Sequence, residues 1–178
     1  MDYPRLLPKA ARPVRVLGLV LAVLIVLADQ ATKAWVTAAL QHDPAGGPRL
    51  LGGLLVLTYS TNTGGAFGIL PDRGPFFIVI GLLVLGGIAL VWSRVADRHP
   101  ALWVSLGLLV GGAIGNLIDR ARLGYVVDFV QISIWPVFNL ADTAIVCGVV
   151  VLMYRVGVTP GSSGTARHTG PGRTEGGT

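Results

Sequence analysis

This chain is poor in charge. Only 13% of its 178 residues are Asp, Glu, Lys or Arg, against about 25% in an ordinary soluble domain. Hydrophobic residues make up 52%, and the mean hydropathy is +0.68. This balance excludes a cytosolic globule, and it excludes a disordered chain, which needs few apolar groups and much charge. With Cys147 as its single cysteine, the sequence cannot be a disulfide scaffold. Aromatics are also scarce, at 7%. What the chain has instead is long apolar runs, so a membrane protein is expected. The net charge of +5 (14 Lys and Arg against 9 Asp and Glu) then sets membrane orientation, and no nucleic-acid partner is expected.

A helix needs roughly 20 mostly apolar residues to cross the bilayer core. Four stretches approach that length: Val14 to Trp35, Phe76 to Trp92, Ala101 to Ile118 and Phe138 to Tyr154. The second and third carry no ionisable residue, whereas the first holds Asp29 and the fourth Asp142. Arg12 and Arg15 ahead of Val16–Ala28 have the form of a cleavable signal, but a cleavage site wants small residues after the apolar run and Asp29-Gln30 follows instead. The segment is read as a retained helix.

With the N-terminus inside, Arg5, Lys9, Arg12, Arg15, Arg94, Arg98, Arg155, Arg167 and Arg173 fall on the inner side. Lys33, Arg49, Arg73, Arg120 and Arg122 fall outside, a nine-to-five bias of the expected sign. Both termini are then cytoplasmic. The tail over 157–178 is rich in Gly, Ser, Thr and Pro and is expected to be disordered, leaving 1–156 as a single transmembrane domain. Two outer segments look like strands, Leu54–Tyr59 before the Thr63-Gly64-Gly65 turn, and Tyr125–Ile134, ended by Trp135-Pro136. The fold class is therefore an all-α integral membrane protein, four transmembrane helices carrying a small extracytoplasmic β platform.

The polar residues gather at one depth. Asp29 lies about 20 Å along the first helix from Val14, near the outer surface, with Lys33 one turn beyond. Asn116, Asp119 and Arg120 close the third helix on one face, Asn139 and Asp142 open the fourth, and Asn62 and Asp128 lie in the outer loops. Charges inside a bilayer are costly and mark function by default. Plainer readings compete: Asp29–Lys33 as a structural pair, Asp119–Arg120 as an interfacial ion pair, Asn62 as a turn residue. Gly107, Gly111 and Gly115 form a packing ridge, with Gly112 serving the same end, and Cys147 reads as a small core residue. His42, His99 and His168 fall on both sides of the membrane and cannot share a metal. No zinc-ligand spacing, phosphate loop or Gly-x-Ser-x-Gly elbow occurs, so no metal and no cofactor are expected.

Asp128, on the face of its strand that carries Val126, Val130, Ile132 and Ile134, and Asp142, at the head of an apolar helix, are both under pressure to stay neutral. Two such carboxylates brought together would share a proton, one activating water and the other polarising a carbonyl, which is the logic of an aspartic peptidase. Spacing alone does not bring them together. The alternative is a small proton-coupled transporter with Asp29 and Asp142 on a proton path. Such a path needs polar groups in the inner half, where the helices offer little beyond Ser105.

Five segments taken in order carry a resemblance: Asp29-Gln30-Ala31-Thr32-Lys33, Asn62-Thr63-Gly64-Gly65-Ala66-Phe67-Gly68, Gly111 through Arg120, Gly124-Tyr125-Val126-Val127-Asp128-Phe129, and Phe138-Asn139-Leu140-Ala141-Asp142. Together they resemble the motifs of the bacterial lipoprotein signal peptidases, signal peptidase II. The resemblance implies an aspartic endopeptidase of the bacterial plasma membrane that cuts prolipoproteins before a diacylglyceryl-modified cysteine, with the site at the outer leaflet. It implies Asp128 and Asp142 as the catalytic dyad. Asn62, Gly64, Asn116, Arg120 and Asn139 are implied to bind substrate or order the site, with Asp29, Lys33 and Asp119 supporting its geometry. The implied partners are lipid-modified prolipoproteins and membrane lipids, and four spans suffice for a monomer.

Overall fold

The computed structural model describes residues 12–43, 46–65, 73–94, 99–132 and 135–158. In order these form α1 (Arg12–Leu40), β1 (Arg49–Leu50), a 3-10 turn (Leu51–Gly53), β2 (Leu55–Asn62), α2 (Gly74–Arg94), α3 (Pro100–Leu123), β3 (Val126–Ile132), β4 (Trp135–Phe138) and α4 (Leu140–Val158). Among the described residues, three helices are long and apolar enough to cross a membrane: Val14–Leu40, Gly74–Arg94 and Pro100–Leu123. The four strands make one antiparallel sheet in sequence order.

α3 is the central helix. His99 caps its start by accepting the Ala101 N–H on the imidazole, Pro100 fills the first turn, and Gly124 ends it at φ +83°, a left-handed conformation that favours glycine. Its glycines let neighbours approach at backbone distance. A Cβ on Gly111 would come within 2.8 Å of the Ala22 carbonyl oxygen of α1, and one on Gly112 would collide with the Ala141 carbonyl of α4. The small-residue face thus serves α1, while Gly112 serves α4. At the end of the bundle away from the sheet, Leu102, Trp103 and Leu106 pack with Val14, Ile88, Trp92 and Leu152. At the sheet end, Val36 and Leu40 of α1 pack with Phe129 of β3, so the sheet is fastened to the bundle by apolar burial.

Several sequence expectations shift. α1 runs on to Leu40 and α3 to Leu123, because polar residues facing the interior do not interrupt a helix whose polar groups find partners. Trp135-Pro136 does not end the platform but opens β4, where proline is tolerated on an edge strand. Phe138 belongs to that strand and α4 begins at Leu140. β3 does not alternate: Val126, Val127, Asp128 and Phe129 are all buried, since its first half is covered on both faces, while Ile132 is exposed. Cys147 is exposed rather than in the core. The tail from 159 onward, Ser133-Ile134, Ala66-Phe67-Gly68, Arg5, Lys9 and Arg98 lie outside the described residues.

Candidate active site

The site is built in layers from α1 towards the sheet. At its base, Lys33 and Asp29, one turn apart on α1, meet Asp119 of α3, all three buried. Lys33 Nζ reaches Asp29 Oδ2 and Asp119 Oδ2 at 2.9 Å each and donates to Asn116 Oδ1 at 3.0 Å. Three acceptors therefore match the three ammonium hydrogens, as a buried charge requires. The other oxygens are also used. Asp29 Oδ1 accepts the Ala141 N–H in the first turn of α4 (3.0 Å), and Asp119 Oδ2 also accepts the Val127 N–H of β3 (3.1 Å). The Asp119–Arg120 ion pair does not form, because Asp119 turns inward to Lys33 while Arg120 reaches the Gly64 carbonyl (3.1 Å) and lies over the Phe77 ring at 5.4 Å.

The next layer is a pair of amides. Lys33 can only donate, so the atom of Asn116 facing it is the oxygen, and Nδ2 must point the other way. It donates to Asp142 Oδ1 at 2.7 Å. Asn139 Nδ2 donates to Asn116 Oδ1 (3.0 Å) and to Asp128 Oδ1 (2.7 Å). Asn139 precedes α4 and caps it. Its Oδ1 accepts the Asp142 N–H at 2.9 Å, and its own N–H donates to Asp142 Oδ2 at 3.2 Å, a reciprocal capping box. Asn62 closes the ring. Its Nδ2 donates to Asp128 Oδ2 at 3.1 Å while its Oδ1 accepts the Gly64 N–H at 3.0 Å, so it is both the expected turn residue and a partner of Asp128.

Asp128 and Asp142 thus come from a strand and a helix separated in the chain by β4, and both line one cleft of about 590 Å³. Its lining combines the polar Asn62, Asn116 and Arg120 with the apolar Trp135, Val137, Phe138, Ile145 and Val146. Burial pushes the Asp128 carboxyl up to about 6, the charge of Asp142 adds to the shift, and the Asn62 and Asn139 hydrogen bonds and Lys33 oppose it. The structure brings the candidate site residues Asp29, Lys33, Asn62, Gly64, Asn116, Asp119, Arg120, Asp128, Asn139 and Asp142 into this one assembly.

The profile of the family described as signal peptidase (SPase) II matches residues 21–158. This chain belongs to the signal peptidase II family. The lipoprotein signal peptidase of Moorella thermoacetica is 42% identical to it over 146 residues, covering 82% of this chain and 96% of the relative. That of Syntrophomonas wolfei is 45% identical over 134 residues, covering 75% and 87%. A bacterial membrane enzyme solved at 1.9 Å by the in meso method superposes with a TM-score of 0.72 at 29% identity, over 80% of this chain and 94% of that one. As a member of the signal peptidase II family, the chain is a peptidase.

One site residue was not singled out from sequence. Gln30 Nε2 donates to Asp119 Oδ1 at 2.9 Å and, at 3.2 Å, to the Gly115 carbonyl and Asp29 Oδ2. An amide at membrane depth must also find partners, and that was the available signal.

Proposed function

We propose that this signal peptidase II is an aspartic endopeptidase of the bacterial plasma membrane, with α4 as a fourth span, residues 1–156 as its single domain, both termini cytoplasmic and the cleft at the outer leaflet. Its substrates are prolipoproteins whose cysteine carries diacylglycerol, and it works as a monomer. The observation that carries the reading is the Asn139 amide, which holds Asp128 while its backbone holds Asp142 on the wall of the same cleft.

The chemistry follows from two carboxylates that share one proton. The ionised member takes a proton from a water, which attacks the carbonyl carbon of the scissile bond. The protonated member hydrogen-bonds the carbonyl oxygen, and the tetrahedral intermediate collapses as the aspartate that took the water's proton hands it to the leaving nitrogen, breaking the C–N bond. No covalent acyl-enzyme forms. Asn139, fully buried, orients the dyad, and Asn62, Asn116 and Arg120 in the cleft lining meet the N–H and C=O groups of a substrate backbone drawn out of helical pairing in an apolar setting. Acyl chains on the cysteine stay in the outer leaflet, which holds the scissile bond at the depth of the cleft.

The test is cleavage of a purified prolipoprotein, prepared with and without diacylglycerol on its cysteine, by detergent-solubilised wild type and the Asp128→Asn and Asp142→Asn variants. Cleavage of the lipidated form alone, lost in both folded variants, is expected. Near wild-type turnover in either variant overturns the dyad. If folded wild type cleaves neither form, the proposed substrate class is overturned.

A further inference from the structure

Gln30 lies outside the cleft lining, yet both aspartates depend on what it holds. Its amide has two hydrogens and three acceptors, the nearest being Asp119 Oδ1. With that oxygen engaged, the other oxygen of Asp119 faces Lys33 Nζ and the Val127 N–H together. Val127 is the residue before Asp128, so this bond fixes where β3 presents the Asp128 carboxyl. Lys33, held between Asp119 and Asp29, turns the Asn116 amide so that its nitrogen meets Asp142. Gln30 Oε1 also accepts from Arg122 at 3.5 Å, on the exposed side of the group.

From this geometry we infer that Gln30 is a positioning residue for the dyad, acting through Asp119 on the β3 backbone and through Lys33 on Asn116. The inference rests on the peptidase reading above. Without the Gln30 donor, Asp119 Oδ1 is a buried acceptor with no partner, and the carboxylate turns towards Lys33 to compensate. Both the Val127 bond and the Lys33–Asn116 bond then lengthen, and displacement of a catalytic group by even 1 Å costs rate rather than binding.

Gln30→Met keeps the length of the side chain and removes the donor. Its kcat is expected to fall about 10- to 100-fold with KM within about twofold of wild type, because no residue of the cleft lining is replaced and the displacement falls on the reacting carboxyls. Gln30→Glu adds a pH readout. The charged groups around position 30 are Asp29 and Lys33 on α1 and Asp119 and Arg122 on α3. An ionised glutamate there repels Asp29 and Asp119, whereas a protonated one donates its O–H to Asp119 Oδ1. The activity of Gln30→Glu relative to wild type should therefore rise as pH falls, while the ratio for Gln30→Met stays flat. Wild-type kcat in Gln30→Met overturns the proposal. So does a loss that follows the folded fraction, measured by thermal unfolding, with both ratios flat in pH. Wild type run alongside reports on the peptidase reading independently.

Discussion

Asn139 and Asp142 cap each other: the Asp142 N–H donates to Asn139 Oδ1 at 2.9 Å, and the Asn139 N–H donates to Asp142 Oδ2 at 3.2 Å. The same Asn139 amide donates to Asp128 at 2.7 Å. The start of a helix, which must satisfy its first N–H groups in any case, is thereby used to fix one carboxylate directly and the other through a neighbouring amide. The two roles of Asn139 can be separated by substitution.

Asn139→Ala removes the cap and the donor together. It should lower stability by about 1 kcal/mol through the cap alone, and by more through the stranded Asp128 Oδ1, while Asn116 Oδ1 keeps its bond from Lys33. Asn139→Asp keeps a capping oxygen but has no amide hydrogen and adds a carboxylate beside two others. It should retain more helix stability than the alanine variant, yet be at least as inactive. Thermal unfolding in detergent beside single-turnover cleavage checks this. An Asn139→Asp variant with wild-type rate would show that the donor to Asp128 is dispensable.

The pH dependence of stability carries the signature of Asp128. Its carboxyl is raised from the ordinary 3.8 to about 6, first by burial and then by the charge of Asp142. Below about 4 both folded and unfolded chains hold this proton. Between about 4 and about 6 the folded protein keeps it and the unfolded chain has lost it, so this contribution to stability falls as pH rises and is flat above. Melting temperatures across that window, wild type minus Asp128→Asn, should show this fall. The corresponding difference for Asp142→Asn minus the double variant should show a smaller one, since burial remains but the neighbouring charge is gone. A flat difference for Asp128→Asn would mean the group titrates normally.

Much of this site is legible in the sequence because a bilayer forbids stray charge. Asp29, Lys33, Asn116, Asp119 and Asn139 stand out against apolar runs, and helical spacing alone puts them at one depth. Partnership is another matter. Asp119 and Arg120 are neighbours of opposite charge, yet Asp119 is inside the packed helices and Arg120 beside the Asn62 turn, which only tertiary packing decides. β4 was hidden because Trp135-Pro136 reads as a terminator, and an edge strand tolerates the proline that a central strand does not. Cys147 departs from its expected place for a similar reason: in a helix where nearly every residue is apolar, periodicity does not tell the packed face from the exposed one.

The ion group beneath the dyad gives a prediction about stability and rate together. Lys33→Met leaves Asp29 and Asp119 buried without their cation and Asn116 Oδ1 without one of its donors. Breaking a buried pair by removing one partner costs about 3–5 kcal/mol. Lys33→Met with Asp29→Asn and Asp119→Asn should recover part of that loss, because the stranded charges go as well, but it should not recover cleavage, since Asn116 is no longer oriented. Chemical or thermal denaturation in detergent and a cleavage assay on the same samples decide it. Recovery of activity in the triple variant would mean that the ion group is only structural.

Gly115 shows how closely the helices must meet for any of this to form. A Cβ there would lie 2.6 Å from Asp29 Oδ2, 3.1 Å from its carboxyl carbon and 3.3 Å from the Ala141 Cβ. Asp29 has little room to yield: Oδ2 pairs with Lys33, and Oδ1 holds the Ala141 N–H. Moving the carboxylate therefore loosens either the cation under Asn116 or the first turn of α4, which carries Asp142. Gly115→Ala should destabilise by about 1–3 kcal/mol, the usual cost of overpacking, and should lower cleavage beyond what the folded fraction explains. Gly86→Ala and Gly87→Ala on α2 are the controls, since a Cβ at either meets nothing within 4 Å. They should leave cleavage unchanged and, by helix propensity, stabilise by up to about 1 kcal/mol. If Gly115→Ala behaves like these controls, the contact between α1 and α3 is looser than the site geometry requires.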